Sequence, residues 1–142
     1  MIKSFNHVSY FWDENKAASL GDDQIALFLY RSNILGADLR ITNYGGGNTS
    51  CKTMEVNPLT GQTEEVMLVK GSGGDIGTLT RKGIAGLYTS RLHALKNMYR
   101  GLEHEDEMVG LFYHCLHDLE SAAPSIDTPL HGLLPFKHID HL

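Results

Sequence analysis

Residues 45–75 read GGGNTSCKTMEVNPLTGQTEEVMLVKGSGGD. Thr49 to Val56 and Glu65 to Val69 have strand-like composition, and Asn57-Pro58-Leu59-Thr60-Gly61 between them carries turn chemistry, so the spacing predicts a β-hairpin. Each outer end of the hairpin runs into a glycine cluster, Gly45-Gly46-Gly47-Asn48 before it and Lys70-Gly71-Ser72-Gly73-Gly74-Asp75 after it. Antiparallel strands joined by a turn return the chain to its starting edge, which predicts Asn48 and Ser72 as neighbours. Consecutive glycines let backbone N–H groups approach an anion with no Cβ in the way; Asn48 adds an amide donor, and the second loop adds a cation and a hydroxyl. One such loop by itself reads as a turn. Two at one end of a hairpin make a candidate phosphate cradle, with the pair of plain turns as the alternative.

Working outward, Asp22 or Asp23 starts a helix that carries Ile25, Phe28, Leu29, Ile34 and Leu35 on one stripe and stops near Gly36. Leu39 to Thr42 then reads as a short alternating strand. Downstream, Thr80 to Met98 reads as a helix with Ile84, Leu87, Leu92 and Leu95 inward. Gly83 and Gly86 inside it each cost about 1 kcal/mol relative to Ala, which suggests close packing against the sheet. A further helix is expected from Glu105 to Leu119, with Met108, Val109, Leu111, Phe112, Cys115 and Leu116 inward. Thr128-Pro129 is a helix-start signature for a short helix to about Leu134. The first twenty residues hold exposed-looking aromatics (Phe5, Tyr10, Phe11, Trp12) without a period, so residues 1–21 read as an N-terminal extension and 22–142 as one domain. The element order predicts an α/β fold in which helices cover an antiparallel-containing sheet. Neither glycine cluster matches the dinucleotide G-x-G-x-x-G or the Walker A pattern.

The 142 residues are 42% hydrophobic and 20% charged, values of an ordinary globular domain rather than a disordered or fibrous chain. Twelve basic against seventeen acidic side chains leave a formal charge of −5 and no basic cluster, which argues against nucleic acid as a partner. No apolar run reaches the length of about 18 residues needed to span a membrane. With no signal-peptide h-region either, the expected location is the cytoplasm. Two cysteines, Cys51 and Cys115, are far too few for a disulfide scaffold.

Two further motifs carry candidate chemistry. Ser125-Ile126-Asp127-Thr128-Pro129-Leu130-His131 sets a carboxylate just before a helix start, where it serves as a proton-transfer group or as a simple cap. His138-x-x-His141, with Asp140 between, offers half of a metal site, or only two surface histidines. Three of the eight histidines fall in the last dozen residues. The abrupt end after this stretch suggests a piece of a longer protein.

Taken together, GGGNTS, VKGSGGD, PSIDTPLH and HIDHL resemble the N-terminal portion of the class II aldolase/adducin family, and most nearly the aldolase half of bifunctional rhamnulose-1-phosphate aldolase/alcohol dehydrogenases, in which a short-chain dehydrogenase follows. The resemblance implies a three-layer α/β/α fold with a largely antiparallel central sheet. It also implies a zinc-dependent lyase, acting in the intact parent rather than in this piece alone, that cleaves a ketose 1-phosphate to dihydroxyacetone phosphate and an aldehyde. Carried over position by position, the phosphate loops fall on Gly47 and Asn48, on Ser72 and Gly73, and on Ser125. The family's catalytic glutamate falls on Asp127, a side chain shorter by one methylene. His141 matches the first member of a His-x-His metal pair, whose second member would fall just past Leu142. The implied partners are a small sugar phosphate and further copies of the chain, with no nucleic acid or membrane, and NAD only where a dehydrogenase follows. Two alternatives share the fold: a sugar-phosphate 4-epimerase, and a non-catalytic assembly module of the adducin kind.

Overall fold

The computed structural model describes residues 9–142; Phe5 of the expected extension lies outside the described residues. The hairpin forms as expected. β1 (Asn48–Val56) and β2 (Thr63–Lys70) pair antiparallel from Val56↔Thr63 to Ser50↔Val69. The Asn57 side chain closes the turn by accepting from the backbone N–H groups of Leu59 and Thr60 at 2.9 and 3.4 Å. β3 (Ile84–Tyr88) pairs with β2, and β4 (His138–His141) with β1, giving a four-stranded antiparallel sheet in the order β3-β2-β1-β4.

Side chains alternate across a strand, so the register assigns each residue to a layer. Cys51, Val66, Leu68, Ile84 and Tyr88 face α2 (Gln24–Ala37) and form one buried cluster with Phe28 and Leu79. Met67, Val69, Ala85 and Leu87 face the opposite way. There they pack with Leu92 of α3 (Thr89–Ala94) and with Phe112, Cys115 and Leu116, which follow α4 (Glu107–Leu111). α5 (Thr128–Leu133) completes that layer. Helices on both faces of an antiparallel sheet make the expected three-layer α/β/α arrangement. Each large aliphatic or aromatic side chain moved from water into these two cores contributes about 1.5–3 kcal/mol.

α2 docks through a stripe of small and apolar residues. Phe28, Ser32 and Gly36 are all buried and spaced by four. The Ser32 hydroxyl lies 2.7 Å from that of Thr49 on β1. Asp23 caps the helix by accepting from Ala26 N–H at 2.9 Å, as its position in the sequence suggests. The described residues before α2 pack onto it. α1 (Glu14–Ser19) is capped by Asp13, and the ring of Trp12 sits 5.0 Å from that of Tyr30 on α2.

Three elements differ from the sequence-based expectation. Leu39 to Thr42 is a turn, not a strand: the Asp38 carbonyl accepts from Ile41 and Thr42 N–H, its carboxylate grips Arg40, and Leu39 is 72% exposed. The helix expected over Thr80 to Met98 divides into a 3₁₀ turn (Arg81–Gly83), strand β3, α3 and another 3₁₀ turn (Leu95–Met98). All five residues of β3 are buried, and a short apolar run buried on both faces has no period to distinguish it from a helix. The expected Glu105–Leu119 helix is shorter, α4 plus a 3₁₀ turn over Phe112–Cys115. The chain then straightens because β3 is an edge whose backbone needs partners: His117 N–H donates to Gly86 O and Ala122 N–H to Ile84 O. Val109, expected inward, is consequently 36% exposed. Among the described residues, no helix is long and apolar enough to cross a membrane.

Candidate active site

Four segments meet at the end of the sheet where β1 begins and β2 finishes. Extending the hairpin register by two residues sets Asn48 across from Gly71, next to Ser72. On its other side Asn48 pairs with His141 of β4. Asp75 joins the two glycine loops: its Oδ2 accepts from Gly45 N–H at 2.6 Å and its Oδ1 from Gly77 N–H at 2.7 Å. Ser72 N–H donates to Ala123 O at 2.8 Å, which ties the second loop to the segment carrying Ser125 and Asp127. Gly47 has φ +76°, and a Cβ there would lie 2.8 Å from Ile76 Cδ1, so both conformation and space call for glycine.

Asp127 is the centre of this arrangement. Its Oδ2 accepts from Asn48 Nδ2 at 3.2 Å and from the Ser125 hydroxyl at 3.1 Å. It precedes α5, but its side chain makes no capping hydrogen bond. The capping alternative therefore falls, and the carboxylate is instead held by two residues of the expected phosphate loops. Asn48 is 3% exposed, with its Oδ1 buried and unpartnered. Ser125 is buried as well, while Ser72 and Gly73 are exposed at the rim.

The geometry separates the two C-terminal histidines. In a strand, residues three apart point to opposite faces, so His138 and His141 cannot chelate one ion together. His138 and Asp140 turn toward α2, where the Arg31 guanidinium donates to His138 Nδ1 at 2.6 Å and to Asp140 at 3.1 Å. Burial, then the field of Arg31, pushes the pKa of His138 below its ordinary value. His141 lies on the face of Asn48, exposed at the mouth of the site.

A solved structure shares this architecture. The N-terminal class II aldolase domain of a conserved protein from Thermoplasma acidophilum superposes with a TM-score of 0.75 and 27% sequence identity over 98% of this chain. The chain has the class II aldolase fold. It spans 60% of that solved domain chain. It also matches an uncharacterized oxidoreductase, YuxG, of Bacillus subtilis, with 41% identity over 134 residues, which are 94% of this chain and 19% of the relative. No family model matches.

The class II aldolase fold generally works with a divalent metal. Among the described residues, no three His, Cys, Asp or Glu side chains converge as a metal site requires. His141 is a single ligand, whereas a catalytic zinc takes about three from protein. The described residues thus do not form a metal site by themselves.

One member of the site escaped the sequence-based reading. His131 is wholly buried on α5; its Nδ1 lies 2.7 Å from the Ser50 hydroxyl, and its Nε2 has no partner. Burial pushes its pKa down, with Asp127 pulling the other way. Its spacing of four from Asp127 was the available signal, since residues i and i+4 share a helix face. Lys70, the cation expected from the second glycine loop, is buried beside it. A separate apolar cavity of about 560 Å³, between α3, α4 and α5, holds none of the cradle residues.

Proposed function

We propose that this chain is the substrate-holding part of an aldolase that cleaves a ketose 1-phosphate of the rhamnulose-1-phosphate kind to dihydroxyacetone phosphate and an aldehyde. The observation that carries the reading is a carboxylate, Asp127, gripped by Asn48 and Ser125 where two glycine loops converge. Phosphate is held by backbone N–H groups of the loops at Gly47 and Gly73 and by the side chains of Asn48, Ser72 and Ser125. This anchors the substrate through a group remote from the reacting bond.

Retro-aldol cleavage takes the proton from the C4 hydroxyl, moves the C3–C4 electron pair onto the C2 carbonyl as an ene-diolate, and returns a proton to C3. A carboxylate at Asp127 carries that proton from one position to the other. His141 is the ligand that this chain offers to a divalent ion, for which zinc is our assignment. The name of YuxG and the 19% of its length that the chain matches support a parent protein with an oxidoreductase domain; NAD as that domain's cofactor and the cytoplasm as the location are our assignments. The test is direct. The full-length protein, incubated with ketose 1-phosphates differing at C3 and C4, should release dihydroxyacetone phosphate, read by a coupled glycerol-phosphate dehydrogenase assay. Release from none of them would refute the reading.

A further inference from the structure

The face that β1 turns toward α5 is polar where a core would be expected. Asn48, Ser50 and Lys52 alternate onto that side, and all three are buried. Each reaches α5 or its end. Asn48 Nδ2 donates to Asp127 at 3.2 Å, the Ser50 hydroxyl lies 2.7 Å from His131 Nδ1, and the Lys52 ammonium donates to the Leu134 carbonyl. Two residues of strand advance about 6.7 Å and four residues of helix about 6 Å, so the first two of these rungs are spaced alike along both elements.

The middle rung is the one that stability does not account for. His131 is wholly buried, and among the described residues the Ser50 hydroxyl is the one hydrogen-bond partner of its ring, because Nε2 has none. A buried nitrogen left unpaired destabilises, and leucine would fill the space without that cost. What the histidine supplies is direction. Apolar packing, such as that of Gly132 against Leu92, holds α5 down but is not directional, whereas a hydrogen bond is. One residue of helix turns through about 100°, so the rung at His131 settles which way Asp127, one turn earlier, presents its carboxylate. The two residues are joined directly as well, since His131 N–H donates to the Asp127 carbonyl at 3.3 Å.

We propose that His131, held by Ser50, is a positioning residue for Asp127: it fixes the rotation of α5 on β1, so that the carboxylate meets Asn48 and Ser125 in the orientation that proton transfer needs. The assignment rests on the proton-transfer reading of Asp127 given above. The ring acts through the helix, and the anchoring of the phosphate is left to the loops. Loss of the rung should therefore appear in kcat rather than in KM.

The experiment compares the full-length protein with its Ser50→Ala, His131→Leu and doubly substituted variants, in steady-state cleavage of ketose 1-phosphate and in thermal unfolding. All three should lower kcat by about ten- to hundredfold, the usual effect of misplacing a reacting group by about 1 Å, with KM held within about threefold. The double variant removes both partners of the hydrogen bond together, so its melting temperature should return to near the wild-type value. Its kcat should stay as low as in the single variants, because one rung can be lost only once. A double variant that regains wild-type kcat along with its stability would make the pair structural and overturn the proposal. Wild-type kcat in Ser50→Ala, the least disruptive of the three, would do the same, as would a rise in KM larger than the fall in kcat. Failure of the aldolase reading looks different: the wild type then releases no dihydroxyacetone phosphate, and crystal structures decide the positioning role instead. The 3.2 Å between Asp127 and Asn48 should lengthen beyond about 3.5 Å in the double variant, and an unchanged separation would refute the role.

Discussion

Gly36→Ala tests the way α2 holds the site. A Cβ at residue 36 would lie 2.0 Å from Gly77 N, 2.4 Å from Gly77 Cα and 2.7 Å from the Ile76 carbonyl carbon. Ordinary contact distance is about 3.5 Å, so helix and loop must separate by roughly 1.5 Å. Both sides of the contact are backbone, and no rotamer change relieves it. Overpacking costs about 1–3 kcal/mol, with this case at the upper end, whereas alanine in a helix gains about 1 kcal/mol over glycine. The clash wins by about 2 kcal/mol. Urea unfolding should register that loss at unchanged m-value, with the midpoint of thermal unfolding lowered by about 4–8 °C. The damage should extend to anion binding, because Asn33 on the same helix holds the Ile76 and Leu79 carbonyls of the loop that begins at Asp75. Gly110→Ala is the matched control: no atom lies within 4 Å of its added Cβ, so propensity alone should stabilise the chain by up to about 1 kcal/mol. A Gly36→Ala chain as stable as wild type would refute the close docking of α2 on Gly77.

In the full-length protein, Asp127→Asn should preserve the fold, since the amide oxygen still accepts from Asn48 and Ser125, yet lower kcat by about 10²–10⁴-fold; unchanged kcat would remove Asp127 from the chemistry. Asn48→Ala should instead raise KM more than it lowers kcat, measured in the same steady-state assay. Residues 1–142 alone should bind zinc weakly, because His141 is a single ligand, and tight stoichiometric binding by calorimetry would contradict the described geometry. Stability should fall as pH drops below about 6.5, the value to which His131 and His138 return on unfolding, because the unfolded chain then binds more protons; above that pH their contribution is fully present. Denaturation at pH 7.5 and 5.5 checks this, and His131→Gln should flatten the acid limb.

The hairpin, the α2 cap at Asp23 and the start of α5 were legible because each rests on local chemistry: turn residues, a side-chain acceptor, and proline at a first helical position. β3 was not, because a buried strand with apolar residues on both faces shows no alternation. Gly83 and Gly86, read as close packing of a helix against the sheet, do not play that part: a Cβ at Gly86 would meet its nearest atoms at an ordinary 3.7 Å. Gly86 pairs with Leu68 across the ladder, and Gly83 closes the turn before it. The segment after α4 was illegible for a related reason, since what straightens it is an edge formed by residues about thirty positions earlier. At the site, Asn48, Ser125 and Asp127 were legible as motifs, and the structure joins them by hydrogen bonds. His131 was harder to find, because its interest lies in a hydrogen bond that its Nε2 does not make, which only burial reveals.

Cys51 and Cys115 sit in different layers, the first against α2 and the second beneath α3 and α4, each 1% exposed. Burial pushes the Cys51 thiol up to about 11 and raises that of Cys115 as well. Alkylating reagents attack thiolate, so neither cysteine reacts until its own layer opens. The chain therefore carries two native clocks, one on each side of the sheet. Their relative labelling rates, read by mass spectrometry of the separate peptides, report whether the two layers breathe as one cooperative unit or in turn.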